Sequence, residues 1–275
     1  MKNFAAKVIT RFALVLLALA SVQGAGFAQQ AVELPFARGE QLLYKAELNR
    51  GLLRGIDIGE LRFSATMATI QGQEPVVSLV GDAITKGLLI RLTGSHYHVH
   101  VESVADAKPF AVLRTKSLYE DKRTTINSEA TFDQSAGKVV WTEIERDQKP
   151  NATTLPFSPP VHDVLTLIYF VRTQKLKPGQ TFEVAMVDAG RNYRCVVNVA
   201  AGKKMGTAVG RVSTVRVEPA IFDGDRIVRP RGTLTLWFTD DQRHLPVKAQ
   251  IRVPIGNVDI NLKRVTYQSA AIAQN

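Results

Sequence analysis

One stretch of this chain is apolar at helical spacing while almost everything else alternates apolar and polar residues, and that contrast limits the fold more than any other feature. In Val161 to Gly179, VHDVLTLIYFVRTQKLKPG, a turn of about 100° per residue gathers Val164, Leu165, Leu167, Ile168 and Val171 onto one broad face. Tyr169 and Phe170 widen that face, leaving Asp163, Thr166 and Thr173 as a thin polar strip. A helix apolar nearly all round must be enclosed. Asp163 is placed to accept the free amides of the first turn, Arg172, Lys175 and Lys177 suit the negative end, and Pro178-Gly179 stops the run. A helix of about ten residues is marginal alone, so its stability has to come from apolar surface buried against a sheet.

The rest of the chain supplies that sheet. Leu42, Tyr44, Ala46 and Leu48 share one face of a half-buried strand, and Gly51 to Gly55 turns the chain. From Ile56 to Thr69 the alternation slips at Gly59, which a bulge there would restore. Further candidate strands are Pro75 to Thr85, Leu88 to Leu92, His96 to Val101, Ala111 to Tyr119, Thr124 to Phe132 and Lys138 to Glu145. Arg146 to Pro160, with four prolines, reads as an irregular approach to the helix. Beyond the helix come Gln180 to Val187 and Arg191 to Ala200 as a hairpin around Asp188-Ala189-Gly190, then Val209 to Glu218, Gly232 to Phe238, Pro246 to Val253 and Val258 to Tyr267. About a dozen strands with short links predict a mainly β protein: a large curved antiparallel sheet, or an incomplete barrel, closing on one buried helix.

Residues 1–28 carry the three parts of a secretory signal: Lys2, Lys7 and Arg11, then the apolar run Phe12 to Ala20, then Gly26-Phe27-Ala28 as a small-residue cleavage site. That run of about nine residues is too short to span a bilayer. The expected layout is a signal peptide over 1–28 cleaved after Ala28, a tether over 29–38, one β-rich domain over 39–268 and a tail over 269–275. The expected compartment is the periplasm. Removing the signal lowers the net charge from +10 to +7, and the remaining cations lie scattered along strands and loops without interleaved aromatics. Nucleic acid is therefore not an expected partner; an envelope lipid, glycan or protein is. Cys195 is the only cysteine, and alternation with Tyr193, Val197 and Val199 makes it a small core residue.

Several motifs together resemble a known family. Gly39-Glu40-Gln41-Leu42-Leu43-Tyr44, the turn Gly55-Ile56-Asp57-Ile58-Gly59, the helix Asp163 to Arg172, and Leu236-Trp237-Phe238-Thr239-Asp240-Asp241 with Pro246-Val247 are similar to the exported bacterial domain-of-unknown-function family 3108, over about residues 36 to 267. The resemblance implies an exported β-rich fold and brings no catalytic residues with it. A fainter likeness, in the Trp-to-Pro hairpin, is to the outer-membrane lipoprotein carriers, which wrap an incomplete barrel around helix and bind acyl chains.

Nothing in the chain composes a nucleophile elbow or a Gly-rich phosphate loop, and no cofactor is expected. The leading expectation is a non-catalytic envelope protein binding a lipid or other amphipathic or anionic component, with Leu165, Ile168, Tyr169, Arg172 and Trp237 as ligand-binding candidates. A protein- or glycan-interaction scaffold is the alternative. A metal-dependent hydrolase is the second, resting on His96, His98 and His100, which alternation sends to one strand face. Neighbours in that row stand about 7 Å apart and the outer pair about 13 Å, so a zinc site there needs His162, His244 or a carboxylate folded alongside. Asp240 and Asp241 read as turn-capping residues. Arg172, Arg226, Arg229 and Arg231 read first as solvated charge or salt bridges, and second as an anion site.

Overall fold

The computed structural model describes residues 34–36, 39–68, 74–87, 90, 96–146, 148–223, 226–228, 233–253 and 256–267. The expected signal peptide, most of the tether, most of the candidate strand Leu88 to Leu92, Arg229, Arg231 and the tail lie outside them. In chain order the elements are β1 (Glu40–Arg50), β2 (Leu53–Ala68), β3 (Val76–Thr85), β4 (His98–Asp106), β5 (Val112–Glu120), β6 (Thr125–Asp133), β7 (Lys138–Glu145), β8 (Asn151–Pro156), β9 (Val161–His162) and α1 (Val164–Thr173). There follow β10 (Thr181–Asp188), β11 (Arg191–Ala201), β12 (Met205–Thr207), β13 (Gly210–Val212), β14 (Thr214–Asp223), β15 (Arg226–Val228), β16 (Thr233–Thr239), β17 (Pro246–Val253) and β18 (Gly256–Tyr267).

One sheet runs β8-β7-β6-β5-β4-β3-β2-β1-β18-β17-β16-β14-β11-β10-β9, with β15 on β14, while β12 and β13 pair separately. Short links favour neighbours pairing antiparallel, and among the described strands only β9 and β10 run parallel. The sheet curls until its two ends share one core, in which Val139 and Trp141 of β7 meet Val161 of β9 and Val187 of β10. No ladder joins β8 to β9. Side chains bridge the ends instead: Asn192 Nδ2 donates to the Pro156 carbonyl at 2.8 Å, and Gln134 Oε1 accepts from Val161 N at 3.3 Å. Pro156, Pro159 and Pro160 have no N–H to give a ladder at this edge, so the barrel stays open.

The strand count exceeds the dozen expected from sequence, for a physical reason. Pieces of two to six residues, such as β8, β9, β12 and β13, are too short for alternation to mark. Thus β8 lies within the stretch expected to be irregular, and the β12–β13 hairpin overlaps the start of a stretch read as a single strand. The slip at Gly59 is a bulge: Ala46 pairs with Gly59 and Glu47 with Asp57, leaving Ile58 as the extra residue. A Cβ on Gly59 would stand 2.8 Å from the Ile84 carbonyl oxygen. Gly59→Ala is expected to cost about 1–3 kcal/mol as an overpacked contact with backbone, read as a lower urea midpoint with unchanged slope.

The helix is enclosed as its pattern requires, with differences at its margins. Thr166, expected on the polar strip, is fully buried, whereas Val164 is 48% exposed. The helix stops at Thr173, before Pro178-Gly179, with Gln174 extended as its C-cap. The tether does not run free to residue 38: Leu34 and Phe36 are buried, Phe36 edge-on to Phe110 and Tyr169 at 5.6 and 4.8 Å.

Candidate functional site

Both ends of the helix are fastened to the inner face of the sheet. At the N-terminus Asp163 Oδ1 accepts from Thr166 N at 2.6 Å and from Thr166 Oγ1 at 2.8 Å, and Thr166 Oγ1 accepts from Asp163 N at 2.9 Å. This reciprocal capping box was legible from Asp163, although its partner was not. Asp163 Oδ2 accepts from Ser103 of β4 and Thr115 of β5, each at 2.5 Å. At the C-terminus Arg172 forms a bidentate pair with Glu40 of β1, Nη1 to Oε1 at 2.5 Å and Nη2 to Oε2 at 2.9 Å. The guanidinium also lies over the rings of Phe36 and Tyr169 at 5.1 and 5.3 Å and donates to the Arg243 carbonyl. His244 Nδ1 faces the Arg172 carbonyl at 2.9 Å; a carbonyl only accepts, so Nδ1 carries the proton.

Between these fastenings Leu167 and Val171 pack into the core with β10, β11 and β14, while the opposite side of the helix leaves a gap. Ile168, Tyr169 and Arg172 form one wall of a partly open cavity of about 160 Å³. The opposite wall is Leu42, Tyr44, Leu61 and Phe63 from β1 and β2, Leu234 and Leu236 from β16, and Pro246, Lys248, Ala249 and Ile260 from β17 and β18. The lining is almost wholly apolar, and the Tyr169 hydroxyl, buried with its residue 1% exposed, has no hydrogen-bond partner among the described residues. The Tyr44 hydroxyl donates to the Pro246 carbonyl at 2.7 Å. Burial pushes both phenols above their usual range.

Of the five ligand-binding candidates, Ile168, Tyr169 and Arg172 line this cavity, and the guanidinium of Arg172 is committed to Glu40. Leu165 packs toward Gly81, where a Cβ would come within 3.5 Å of its Cδ1. Trp237 is out of step with Leu234 and Leu236 and pairs across the ladder with Lys248, whose Nζ lies 5.7 Å from its ring. The sequence did not mark Leu42, Tyr44, Leu61 or Ala249, since alternation shows which residues face inward but not where a gap remains.

A second cluster lies on the outer face. His98 Nε2 and His100 Nδ1 stand 2.8 and 2.9 Å from the two oxygens of Asp82 on β3, and His100 Nε2 is 3.3 Å from Glu102 Oε1. The hydrogen bond to Asp82 holds His100 above its usual range. Burial acts to raise the Asp82 carboxyl, but the bonds from His100 and His98 outweigh it and hold the group low. His96 is exposed and outside this trio. Sequence spacing does not connect Asp82 to these histidines, because it comes from the neighbouring strand; its polar position within the β3 alternation is the one local signal.

His162 does not reach that cluster. It is fully buried, its ring 4.4 Å from that of Phe170, and neither ring nitrogen has a partner among the described residues. Burial lowers its pKa from 6.5 to about 4. The folded pKa is depressed, so the group's contribution to stability is complete above about pH 6.5 and is lost as pH falls toward 4. At about 1.36 kcal/mol per unit, the wild type is expected to lose about 2 kcal/mol from this group by pH 4.5. His162→Leu should remove that loss in urea unfolding measured at pH 7 and 4.5. Cys195 is a core residue, its thiol pushed up to about 11 by burial. Asp241 caps its turn, accepting from Thr239 Oγ1 at 2.7 Å and from the Arg243 side chain at 2.7 and 3.0 Å.

A long antiparallel sheet curled short of closure, with one helix clamped inside it, defines a β-barrel-like protein with an internal apolar cavity. Within that class the chain belongs to the family described as "Protein of unknown function (DUF3108)", whose pattern matches residues 44–263. No curated protein matches it. Among solved structures it is similar to a β-barrel-like protein of the domain of unknown function DUF1849 from Brucella abortus, at 11% identity and a TM-score of 0.55, over 84% of this chain and 98% of that one. That likeness shows the fold alone. A protein from Bacteroides fragilis described as exported, with a YmcC-like fold, aligns over 85% of this chain and 98% of that one at 11% identity and a TM-score of 0.29. Among the described residues no helix is long and apolar enough to cross a membrane.

Proposed function

We propose that the protein is exported and binds the apolar end of an amphipathic envelope compound, such as a lipid acyl chain, in the cavity between the helix and strands β1, β2 and β16 to β18. The observation that carries this reading is the almost wholly apolar lining of the cavity left between the helix and the sheet. Size narrows the ligand. The cavity, about 160 Å³, is close to the about 150 Å³ of an apolar cavity that admits benzene and below the about 300 Å³ at which drug-sized pockets begin. It suits the end of a chain and not an entire lipid, so the headgroup would remain outside. Export rests on the basic, apolar and small-residue order of residues 1–28.

Titration with a fluorescent fatty acid tests this directly. Saturable binding is expected, weakened at least about tenfold by Ala249→Phe, which fills the cavity without touching either helix clamp. Absence of saturable binding, or equal affinity in the filled variant, would overturn the reading. Native mass spectrometry of protein recovered from the envelope should show a bound acyl compound in the wild type and less in Ala249→Phe.

A further inference from the structure

We propose that Asp82, His98 and His100 form a binding site for a divalent transition-metal ion of the zinc type on the outer face of the sheet. The candidate ligand atoms, a carboxylate oxygen of Asp82, His98 Nε2 and His100 Nδ1, all lie within 4.8 Å of one another. Register produces this convergence: Asp82 pairs directly with His100 across the β3–β4 ladder, and Ile84 pairs with His98, so Asp82 is diagonal to the second imidazole. Side chains on one face at these offsets are within mutual reach. All three are partly exposed, 36, 36 and 31% for Asp82, His98 and His100, so an ion can enter and keep an open position.

Proton accounting calls for a positive charge at this carboxylate, carried either by a second proton on His100 or by a metal ion. His100 faces Asp82 through Nδ1 and Glu102 through Nε2, and a neutral imidazole has only one N–H to donate. With a metal among the three ligand atoms, Nε2–H donates to Glu102 while the Nδ1 lone pair points to the ion. This is the carboxylate–histidine arrangement that fixes the tautomer of metal-bound histidines. The local charges agree. Arg62, directly across from Asp82 on β2, is bonded to Glu60 at 2.6 and 2.8 Å, and Lys86 to the same carboxylate at 2.7 Å. Glu60 thus holds two nearby cations, while Glu120, directly across from His98 on β5, brings a further carboxylate to the same face. Two imidazole nitrogens with one carboxylate suit zinc and its neighbours over magnesium or calcium, which take oxygen ligands.

The test uses the full chain without a polyhistidine tag, stripped of metal and titrated with zinc sulfate by calorimetry, with bound zinc measured by mass spectrometry after dialysis. About one zinc per chain is expected. His98→Ala, His100→Ala and Asp82→Ala should each weaken binding by about 10- to 100-fold or more, with Glu102→Gln weakening it by about tenfold through His100. His96→Ala should leave it unchanged. No uptake from about 100 µM zinc, far weaker than protein zinc sites bind, would overturn the site. So would uptake that survives His100→Ala and Asp82→Ala, which would mark adventitious surface binding. The residues lie on an exposed face, and circular dichroism of each variant confirms that loss of zinc is not loss of fold.

Discussion

Arg172→Met is expected to lower the unfolding free energy by about 3–5 kcal/mol, the cost of leaving one member of a buried ion pair without its partner. Arg172 and Glu40 are 0 and 1% exposed and 132 positions apart in sequence, so folding must bring them together before either charge is compensated. The same guanidinium stacks with Phe36 and Tyr169 and holds the Arg243 carbonyl, which ties the entry strand, the helix and the β16–β17 loop to one point. Glu40→Leu alone should be equally harmful, because it strands the guanidinium. The double variant Glu40→Leu/Arg172→Met should recover most of the loss, since it removes both desolvated charges together. Urea unfolding followed by the fluorescence of Trp141 and Trp237 measures all four corners of the cycle. A loss below about 1 kcal/mol in both single variants, the range of exposed pairs, would mean that the pair is not enclosed as described.

That pair also shows what the sequence contains and what it omits. The helix, its N-cap and its inward faces follow from local spacing, and the hairpin turns at Asp188 to Gly190 and Asp240 to Arg243 follow from turn chemistry. The motifs that carry the family resemblance look unrelated in sequence, yet Glu40, Arg172 and the loop before Pro246 converge on one guanidinium, and Tyr44 bonds Pro246 itself. Nothing local announces such a meeting. The cavity is hidden for a related reason: Leu42 and Ala249 look like any inward strand residue, and only the height of the clamped helix leaves a gap beside them. His98 and His100 were legible as one face, whereas Asp82 needed the β3–β4 register, which the connection between those strands does not encode in any recognisable turn.

Asp163→Ala is the second large effect expected, about 4 kcal/mol. Loss of the N-cap accounts for about 1–2 kcal/mol, and the Ser103 and Thr115 hydroxyls, left buried without their acceptor, for about 1–3 kcal/mol more. Asp163→Asn separates the two roles. Asparagine caps a helix nearly as well, but its amide nitrogen cannot accept from Ser103 and Thr115, so that variant should lose less than the alanine variant and mainly loosen the hold on β4 and β5. Ser103→Ala and Thr115→Val should each cost about 1.5–3 kcal/mol, as for hydrogen bonds to a charged group. Urea unfolding ranks the four variants; equal losses for Asp163→Asn and Asp163→Ala would assign the whole effect to the sheet contacts. The ranking bears on the cavity as well. With Asp163 fixed to β4 and β5 and Arg172 fixed to β1, Ile168 and Tyr169 sit midway between two clamps, and the gap beneath them exists before any ligand arrives. A preformed cavity loses little ordering entropy on binding. Asp163→Asn, which frees one end while retaining the helix, should therefore weaken fluorescent fatty-acid binding even though Asp163 does not line the cavity.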